Sequence, residues 1–413
     1  MQLNEKTWDC IIIGGGVAGL TASIYLARAG KSVLVLEKSK TLGGRGKTTK
    51  KLDSYLNLGP HALYSKGKSL EVLGELGIEV EGSIVPTEGK IVHNNQIYDI
   101  PATPIGLITS PLLNWKAKKE LFSFFIKYKK IDTNKIKNIP LRQWLQHRIK
   151  DEVAQQLIIM LSRLSTYSNE PDLLSAGAAL KQLQLGNAIY LNNGWQNMID
   201  TLGKMATEKG VHFQTSKSVT KVNGTFPQFT VHTNEETITA HNVLSTSSPH
   251  ETANMLSEMK NIPNIKECIP VRVACMDLIL SKLPHPKVNF AMGLEEPFYF
   301  SNHSKVARLS DRDFQIVHVM KYSNTNEDTE RELENFIEKV QPGWEKYVVY
   351  KRYLPRMTVT NSLVLAAQSK RPSPSVEQIP GFYIAGDWVG DGMLVDASFQ
   401  SARQAALLIL ENT

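Results

Sequence analysis

The chain has 413 residues, with 47 Lys+Arg against 40 Asp+Glu for a formal net charge of +7, and is 42% hydrophobic and 21% charged. That length implies two or three domain-sized units of roughly 100–200 residues each, and the composition excludes a disordered or fibrous chain. Three scattered cysteines, Cys10, Cys268 and Cys275, exclude a disulfide scaffold and give no zinc spacing, so no metal is expected and a reducing, cytoplasmic setting is.

In chain order, the first apolar run, Cys10–Ile13, enters a glycine cluster with no basic region before it, so it predicts a buried strand and not a signal peptide. Leu20–Ala29 predicts a helix, Gly30-Lys31 a turn and Ser32–Glu37 a second strand. This βαβ unit carries G-x-G-x-x-G at the strand-to-helix junction. Gly14 permits the tight turn, Gly16 lets a pyrophosphate approach the backbone, and Gly19 lets helix and strand pack closely. The helix N-terminus beside Ala18 offers free N–H groups and partial positive charge to phosphates. Glu37, ending the second strand, is placed to accept hydrogen bonds from a ribose diol and disfavours a 2′-phosphate. Thr41-Leu42-Gly43-Gly44-Arg45 follows closely, and then Tyr55-Leu-Asn-Leu-Gly-Pro-His-Ala62.

Ile91–Ile100 predicts a hairpin around Asn94-Asn95, and 112–190 a mostly helical stretch. Nearly all of the net charge lies between Pro111 and Pro140, where eight lysines stand against Glu120 and Asp132. On a helix over Trp115–Ile131, Lys116, Lys119, Lys127 and Lys130 fall within about 80° of one another at about 100° per residue. Leu121, Phe124, Tyr128 and Ile131 share a neighbouring arc. Two readings stand: an interfacial helix in peripheral contact with an anionic membrane, or a core-facing helix with a solvated lysine flank. Nucleic acid is not expected, because no binding motif accompanies the charge. No apolar run approaches the roughly 18 residues of a spanning helix.

Asn193-Gly194-Trp195-Gln196 predicts a helix start. Gly210–Val222 reads as two short strands, Pro227–Val243 as a hairpin around Asn234-Glu235, and Val243–Thr246 as a return to the nucleotide sheet. Residues 261–370 mix strands with one acidic helix, Glu327–Val340. Arg352 and Arg356 have surface or salt-bridge roles. Finally, Phe382–Ala385 predicts a buried strand, Gly386 a turn, and Val395–Leu410 a helix. Asp387 puts a carboxylate at a strand end, suited to polyol hydroxyls, and the following helix N-terminus suits a polarisable carbonyl. Both fit the ribityl chain and pyrimidine of a flavin.

The motifs G-G-G-V-A-G-L, Glu37, G-G-R at 43–45 and A-G-D at 385–387 with its helix resemble, in this order, the flavin-dependent amine oxidase and phytoene desaturase superfamily. The resemblance implies an α/β fold: a Rossmann-like, glutathione-reductase-type FAD-binding domain (1–90, 191–260, 371–413) and a discontinuous α+β substrate domain with a helical cap (91–190, 261–370). It implies FAD held by Gly14, Gly16, Ala18, Gly19, Glu37, Lys38, Gly44, Arg45, Val219, Gly386, Asp387 and Val395. Glu37 would meet the adenosine ribose, Arg45 the phosphates, Val219 the adenine through its backbone, and Val395 the flavin carbonyl. His61 would lie near the reacting carbon as base or hydrogen-bond donor, with Pro60, Trp195 and Leu394 along the substrate pocket. One G-x-G-x-x-G gives no second nucleotide site, and the absence of Cys after Cys275 implies non-covalent flavin.

Departures from the family pattern separate its branches. Leu394, next to Met393, stands where amine oxidases carry an aromatic residue, and the strand Val271–Leu280 has Arg272 but no lysine for flavin N5. A-G-D-W-V-G also replaces the usual bacterial phytoene-desaturase pattern. The expectation is a dehydrogenase or desaturase acting on an apolar, isoprenoid- or carotenoid-like lipophilic substrate. An amine or amino-acid oxidase, and a redox-silent flavoprotein, are the alternatives.

Overall fold

A computed structural model describes residues 7–256, 262, 264–322, 328–367 and 370–412. The expected domain boundary at 260–261 and residue Glu327 of the acidic helix lie outside them.

Two seven-stranded sheets organise the chain. The first runs His212–Thr215, Val33–Glu37, Trp8–Ile13, Thr237–Ser245, Gln228–Thr233, Val219–Thr225, with Phe382–Ile384 joining at Thr237–Ser245. Its central pairs are parallel: Cys10 faces Val33, Ile13 faces Leu36 and Ser245, and Ser245 faces Ile384. Parallel strands are covered on both faces, which is why these segments read as unbroken apolar runs. One face packs under the helices Val17–Arg28, Gln196–Glu208 and Leu394–Glu411 through Leu20, Ile24, Leu202 and Phe399. The other face packs Ile11, Leu34 and Ile13 against the hairpin residues Phe229 and Val231 and against Trp388. The nucleotide-side elements therefore form where expected, to within a few residues.

The second sheet runs Val348–Thr360, Val271–Leu280, Gln315–Lys321, Phe298–Asn302, Phe290–Gly293, Lys90–His93, Gln96–Asp99. Asn94 and Asn95 both take positive φ (49° and 59°), the conformation a two-residue type I′ hairpin turn needs. Strand alternation in Val271–Leu280 sends Ala274, Met276 and Leu278 to one face, against the helix Thr329–Val340. Val273, Cys275 and Asp277 point to the opposite face, toward the cap and the Gly59–His61 segment.

The cap comprises the helices Pro104–Thr109, Trp115–Lys127, Leu141–Arg148, Glu152–Thr166 and Ala176–Gln184. Local capping fixes several starts: Asn114 Oδ1 accepts from Ala117 N (2.9 Å) and Asp151 Oδ1 from Ala154 N (3.0 Å). The helix expected over Trp115–Ile131 is shorter. It ends at Lys127 and tightens to a 3₁₀ turn over Tyr128–Lys130. Gln184 Nε2 donates to the carbonyls of Tyr128 (2.8 Å) and Ile131 (3.2 Å), fixing the chain as it turns away. The arc Leu121, Phe124, Tyr128, Ile131 faces the cap core and is not an interfacial surface. No helix among the described residues is long and apolar enough to cross a membrane.

Candidate cofactor and active site

The glycine loop is shaped by contacts that leave no room for side chains on two sides and open space on the third. Gly14 has φ +105°, and a Cβ there would sit 2.5 Å from Thr246 Oγ1. A Cβ on Gly19 would lie 2.0 Å from the Gly14 carbonyl oxygen, so helix and strand approach only because Gly19 has none. At Gly16 a Cβ meets nothing within 4 Å, so the loop opens toward space on that side. The helix Val17–Arg28 begins there with no side-chain cap and no acid in its first turn, so no side chain competes with an anion for its first N–H groups, including that of buried Ala18. Gly44 (φ +55°) packs against Gly16, bringing the G-G-R segment to the same opening.

Glu37 is buried at the end of its strand. Its Oε2 accepts from Gly15 N (2.7 Å) and its Oε1 from Ser39 N (2.8 Å). One acceptor direction per oxygen remains for a diol. Its neighbour Lys38 turns outward to an exposed ion pair with Glu251, away from the loop. Val219 opens the edge strand of the first sheet, where a bulge between Val219 and Lys221 interrupts pairing.

Arg45 and Asp387, 342 positions apart, form a pair at 2.8 Å. Asp387 is 3% exposed, whereas 45% of the Arg45 side chain stays open although it lies deep in the protein. That combination describes a guanidinium facing an internal opening with its counterion behind it. Burial pushes the Asp387 carboxyl up, but Arg45 and Asn361 outweigh it and hold it below its ordinary value. Asn361 donates through N (2.9 Å) and Nδ2 (2.9 Å), and Arg371 bonds the Asp387 and Gly392 carbonyls. Asp387 thus anchors Arg45, with Gly386 (φ +146°) making the turn between strand and anchor.

Beyond it, Gly390 and Gly392 take positive φ without strain and Leu394 takes it with strain, a run that delivers the helix Leu394–Glu411. Its N-terminus has no side-chain cap, and Leu394 and Val395 are half-buried there. Asp396 in the first turn is buried, and its Oδ1 accepts from Ser69 N (2.7 Å), capping the helix Lys68–Glu75.

His61 has a carbonyl oxygen at each ring nitrogen: Gly59 O at 3.0 Å from Nδ1 and Arg45 O at 3.1 Å from Nε2. Burial lowers its pKa, although both carbonyls favour the charged ring. The neutral ring donates to one carbonyl at a time. Edge-on to Trp195 (4.7 Å between centroids), the ring ties the Arg45 segment to Gly59 and Pro60. Trp195 itself is buried in the nucleotide-side core. Pro60 is buried, and its carbonyl accepts from Tyr167 Oη (3.1 Å).

Below this segment the second sheet supplies a cluster of which the sequence predicts only a surface or salt-bridge role for Arg352. Asp277, His318 and Arg352 stand opposite one another on three adjacent strands. Asp277 Oδ1 meets His318 Nδ1 (2.6 Å), and Asp277 Oδ2 accepts from Arg352 Nε (3.0 Å); Arg352 also reaches Asn57 O. Burial pushes the Asp277 carboxyl up, but His318 and Arg352 together hold it below its ordinary value. Cys275 Sγ lies 3.3 Å from Asp277 Oδ1, so Cys275, Asp277 and His318 have the proximity of metal ligands. Without a metal, burial drives the Cys275 thiol pKa well up, and the Asp277 carboxylate is engaged by His318 and Arg352. The signal for this cluster was Asp277 inside the apolar run Val273–Leu280. Its partners are not readable without sheet order.

A two-sheet α/β frame with a glycine-loop βαβ unit, a strand-end acid and an open arginine defines a dinucleotide-binding oxidoreductase fold. The family model for flavin containing amine oxidoreductases matches residues 17–269. The chain belongs to that family, and its cofactor is FAD. An L-amino acid oxidase, Cdc18, of Crotalus durissus cumanensis is 44% identical over 71 residues, covering 17% of this chain and 14% of that protein. The chain thus matches only a small part of that relative's length. Among solved structures, an oxidoreductase from Methanosarcina mazei superposes with a TM-score of 0.77 at 16% identity over 96% of this chain and 99% of the other. Cyclohexylamine oxidase from Brevibacterium oxydans gives 0.74 at 15% identity over 98% and 99%. At such identity the likeness shows a common fold.

Proposed function

We propose that this FAD-dependent oxidoreductase removes hydride from a C–H bond of a neutral, largely apolar substrate, in the manner of a dehydrogenase or desaturase. Bound FAD supplies the two-electron acceptor, and loss of an adjacent proton leaves a double bond. The loop Gly14–Gly19 and the N-terminus at Val17 would take the pyrophosphate, Glu37 a ribose, and Arg45, held by Asp387, a phosphate or polyol oxygen. The N-terminus at Val395 would face the flavin ring.

The observation that carries the substrate class is the surface meeting the Gly59–His61 segment. A Gly59 Cβ would strike Met357 and touch Cys275, and Met320, Tyr299, Tyr322 and Tyr167 continue that apolar cluster. The charges nearby are engaged: Asp277 and Arg352 as above, and Arg163 on the carbonyls of Leu294 (3.1 Å) and Glu296 (2.8 Å). Around the Gly59–His61 segment Asp277 and Arg352 are committed to each other and Arg163 to backbone carbonyls, so none of these is offered to a substrate ammonium or carboxylate. His61 is assigned a positioning role, because neither ring nitrogen is turned to an open face.

Anaerobic reduction tests this reading. The yellow holoprotein should bleach with a polyene or terpenoid and keep its colour with amines and amino acids. Bleaching by an amine, with peroxide released on admitting air, would overturn the substrate class. Absence of bleaching by every candidate would point to a redox-silent flavoprotein.

A further inference from the structure

We propose that the outer face of the cap helices Pro104–Thr109 and Trp115–Lys127 docks on an anionic lipid bilayer. On the second helix Trp115, Phe122 and Ile126 fall within about 40° of one another at about 100° per residue, and all three are exposed, Trp115 by 76% and Ile126 by 59%. Ala117, Leu121 and Phe124 lie on the opposite arc, buried in the cap core. The adjoining helix repeats the arrangement: Leu107 is buried, whereas Ile105 (75%) and Ile108 are exposed. Five large apolar side chains therefore point outward from two neighbouring helices, and no protein segment among the described residues covers them.

Charge identifies the occupant. Lys116, Lys119, Lys127, Lys129 and Lys130 are exposed around this stripe, and none makes an ion pair among the described residues. The patch offers no compensating negative charge. Glu120 turns its carboxylate inward to Lys150 N and Asp151 N (3.0 Å each), and Asp132 pairs with Lys135. A second copy seated here by a twofold axis would bring the two lysine sets together. An anionic surface complements the lysines while its acyl region receives the Trp, Phe and Ile side chains. Each lysine near such a surface strengthens partitioning about fivefold. This surface is distinct from the arc first expected: the lysines stay, but different apolar residues accompany them.

Co-sedimentation of the FAD-loaded chain with phosphatidylcholine vesicles, with and without one third phosphatidylglycerol, tests the proposal. The protein should pellet with the anionic vesicles and remain free with the neutral ones. Replacing Lys116, Lys119, Lys127 and Lys130 by Gln should weaken binding at least tenfold, as should Phe122→Ser with Ile126→Ser, both with unchanged flavin absorbance. Trp115 emission should shift to the blue on binding, a change that Trp115→Phe removes. Binding independent of lipid charge, or retained in both variants, would overturn the proposal. So would a dimer in sedimentation equilibrium that Phe122→Ser with Ile126→Ser dissolves, because it would give the face to a second copy.

Discussion

The nucleotide half and the substrate half handle buried polar groups in opposite ways. Around the glycine loop the polar work is done by backbone: N–H groups at a helix start, a turn at Gly14, and Glu37 bonded to Gly15 and Ser39. In the second sheet it is done by side-chain charge, with Asp277, His318 and Arg352 matched across three strands. The first solution tolerates many side chains but demands glycine at fixed points. The second demands particular side chains and a fixed register, and leaves the backbone ordinary.

The sharpest break of this comparison is a methyl group. Gly19→Ala places a carbon 2.0 Å from a backbone oxygen, so the nucleotide sheet should lose its packing, at a cost above about 4 kcal/mol, read as loss of cooperative melting. Gly16→Ala adds a Cβ that meets no protein atom within 4 Å. The flavin-free chain should melt as before while the FAD Kd rises at least tenfold, measured by flavin fluorescence. Equal effects from the two substitutions would dissolve the distinction between packing glycine and cofactor glycine.

In the substrate half the corresponding break is Asp277→Asn. It leaves Arg352 and His318 without their buried anion and should cost about 3–5 kcal/mol in urea unfolding. The linked acid dependence has a definite sign. Because the folded Asp277 pKa lies below its ordinary value, the stability it contributes is present above about pH 3.9 and is lost as pH falls below that. The variant should lack that loss.

Histidines add a separate window. Burial lowers the pKa of His303 well below its ordinary value and that of His61 in the same direction. The unfolded chain takes up protons that these rings refuse in the fold, so stability should decline as pH falls through about 6.5. Urea midpoints at pH 7.5 and 5.5 would show it, and His303→Phe should flatten the slope.

The smallest expected effects separate two basic residues near the cofactor loop. Arg45→Met should weaken FAD about tenfold, or about 1.4 kcal/mol, and leave the Asp387 carboxylate to Asn361. Lys38→Ala should change it less than twofold, because the exposed lysine is engaged with Glu251. A large loss in Lys38→Ala would return that residue to the cofactor.

Legibility follows the same division. The βαβ unit, the Asn94-Asn95 turn and the C-terminal helix are written in contiguous residues, whose periodicity and turn chemistry act locally. The Arg45–Asp387–Asn361 anchor and the Asp277–His318–Arg352 row are assembled by partners far apart in sequence, and alternation alone gives their facing but not their neighbours. His61 shows the limit from another side. The motif placed it beside the cofactor segment, but the direction of its ring nitrogens depends on carbonyls at Gly59 and Arg45. The lysine flank was visible as composition, whereas which apolar arc it accompanies depended on what the cap buries.

The adjacency of Thr237–Ser245 and Phe382–Ile384 in one sheet has a further consequence. The chain departs after Ser245 and returns at Phe382, which pairs with Val243 on the adjacent strand about 4.8 Å away. To the nucleotide sheet, this excursion, which carries the second-sheet strands from Val271 to Thr360, is a loop with its ends held on adjacent strands. Closing such a loop costs only about 0.6 kcal/mol more for each doubling of its length. The enclosed segment can therefore lengthen, shorten or be exchanged for another with little penalty to the frame, and a single cofactor-binding scaffold can carry substrate modules of very different size.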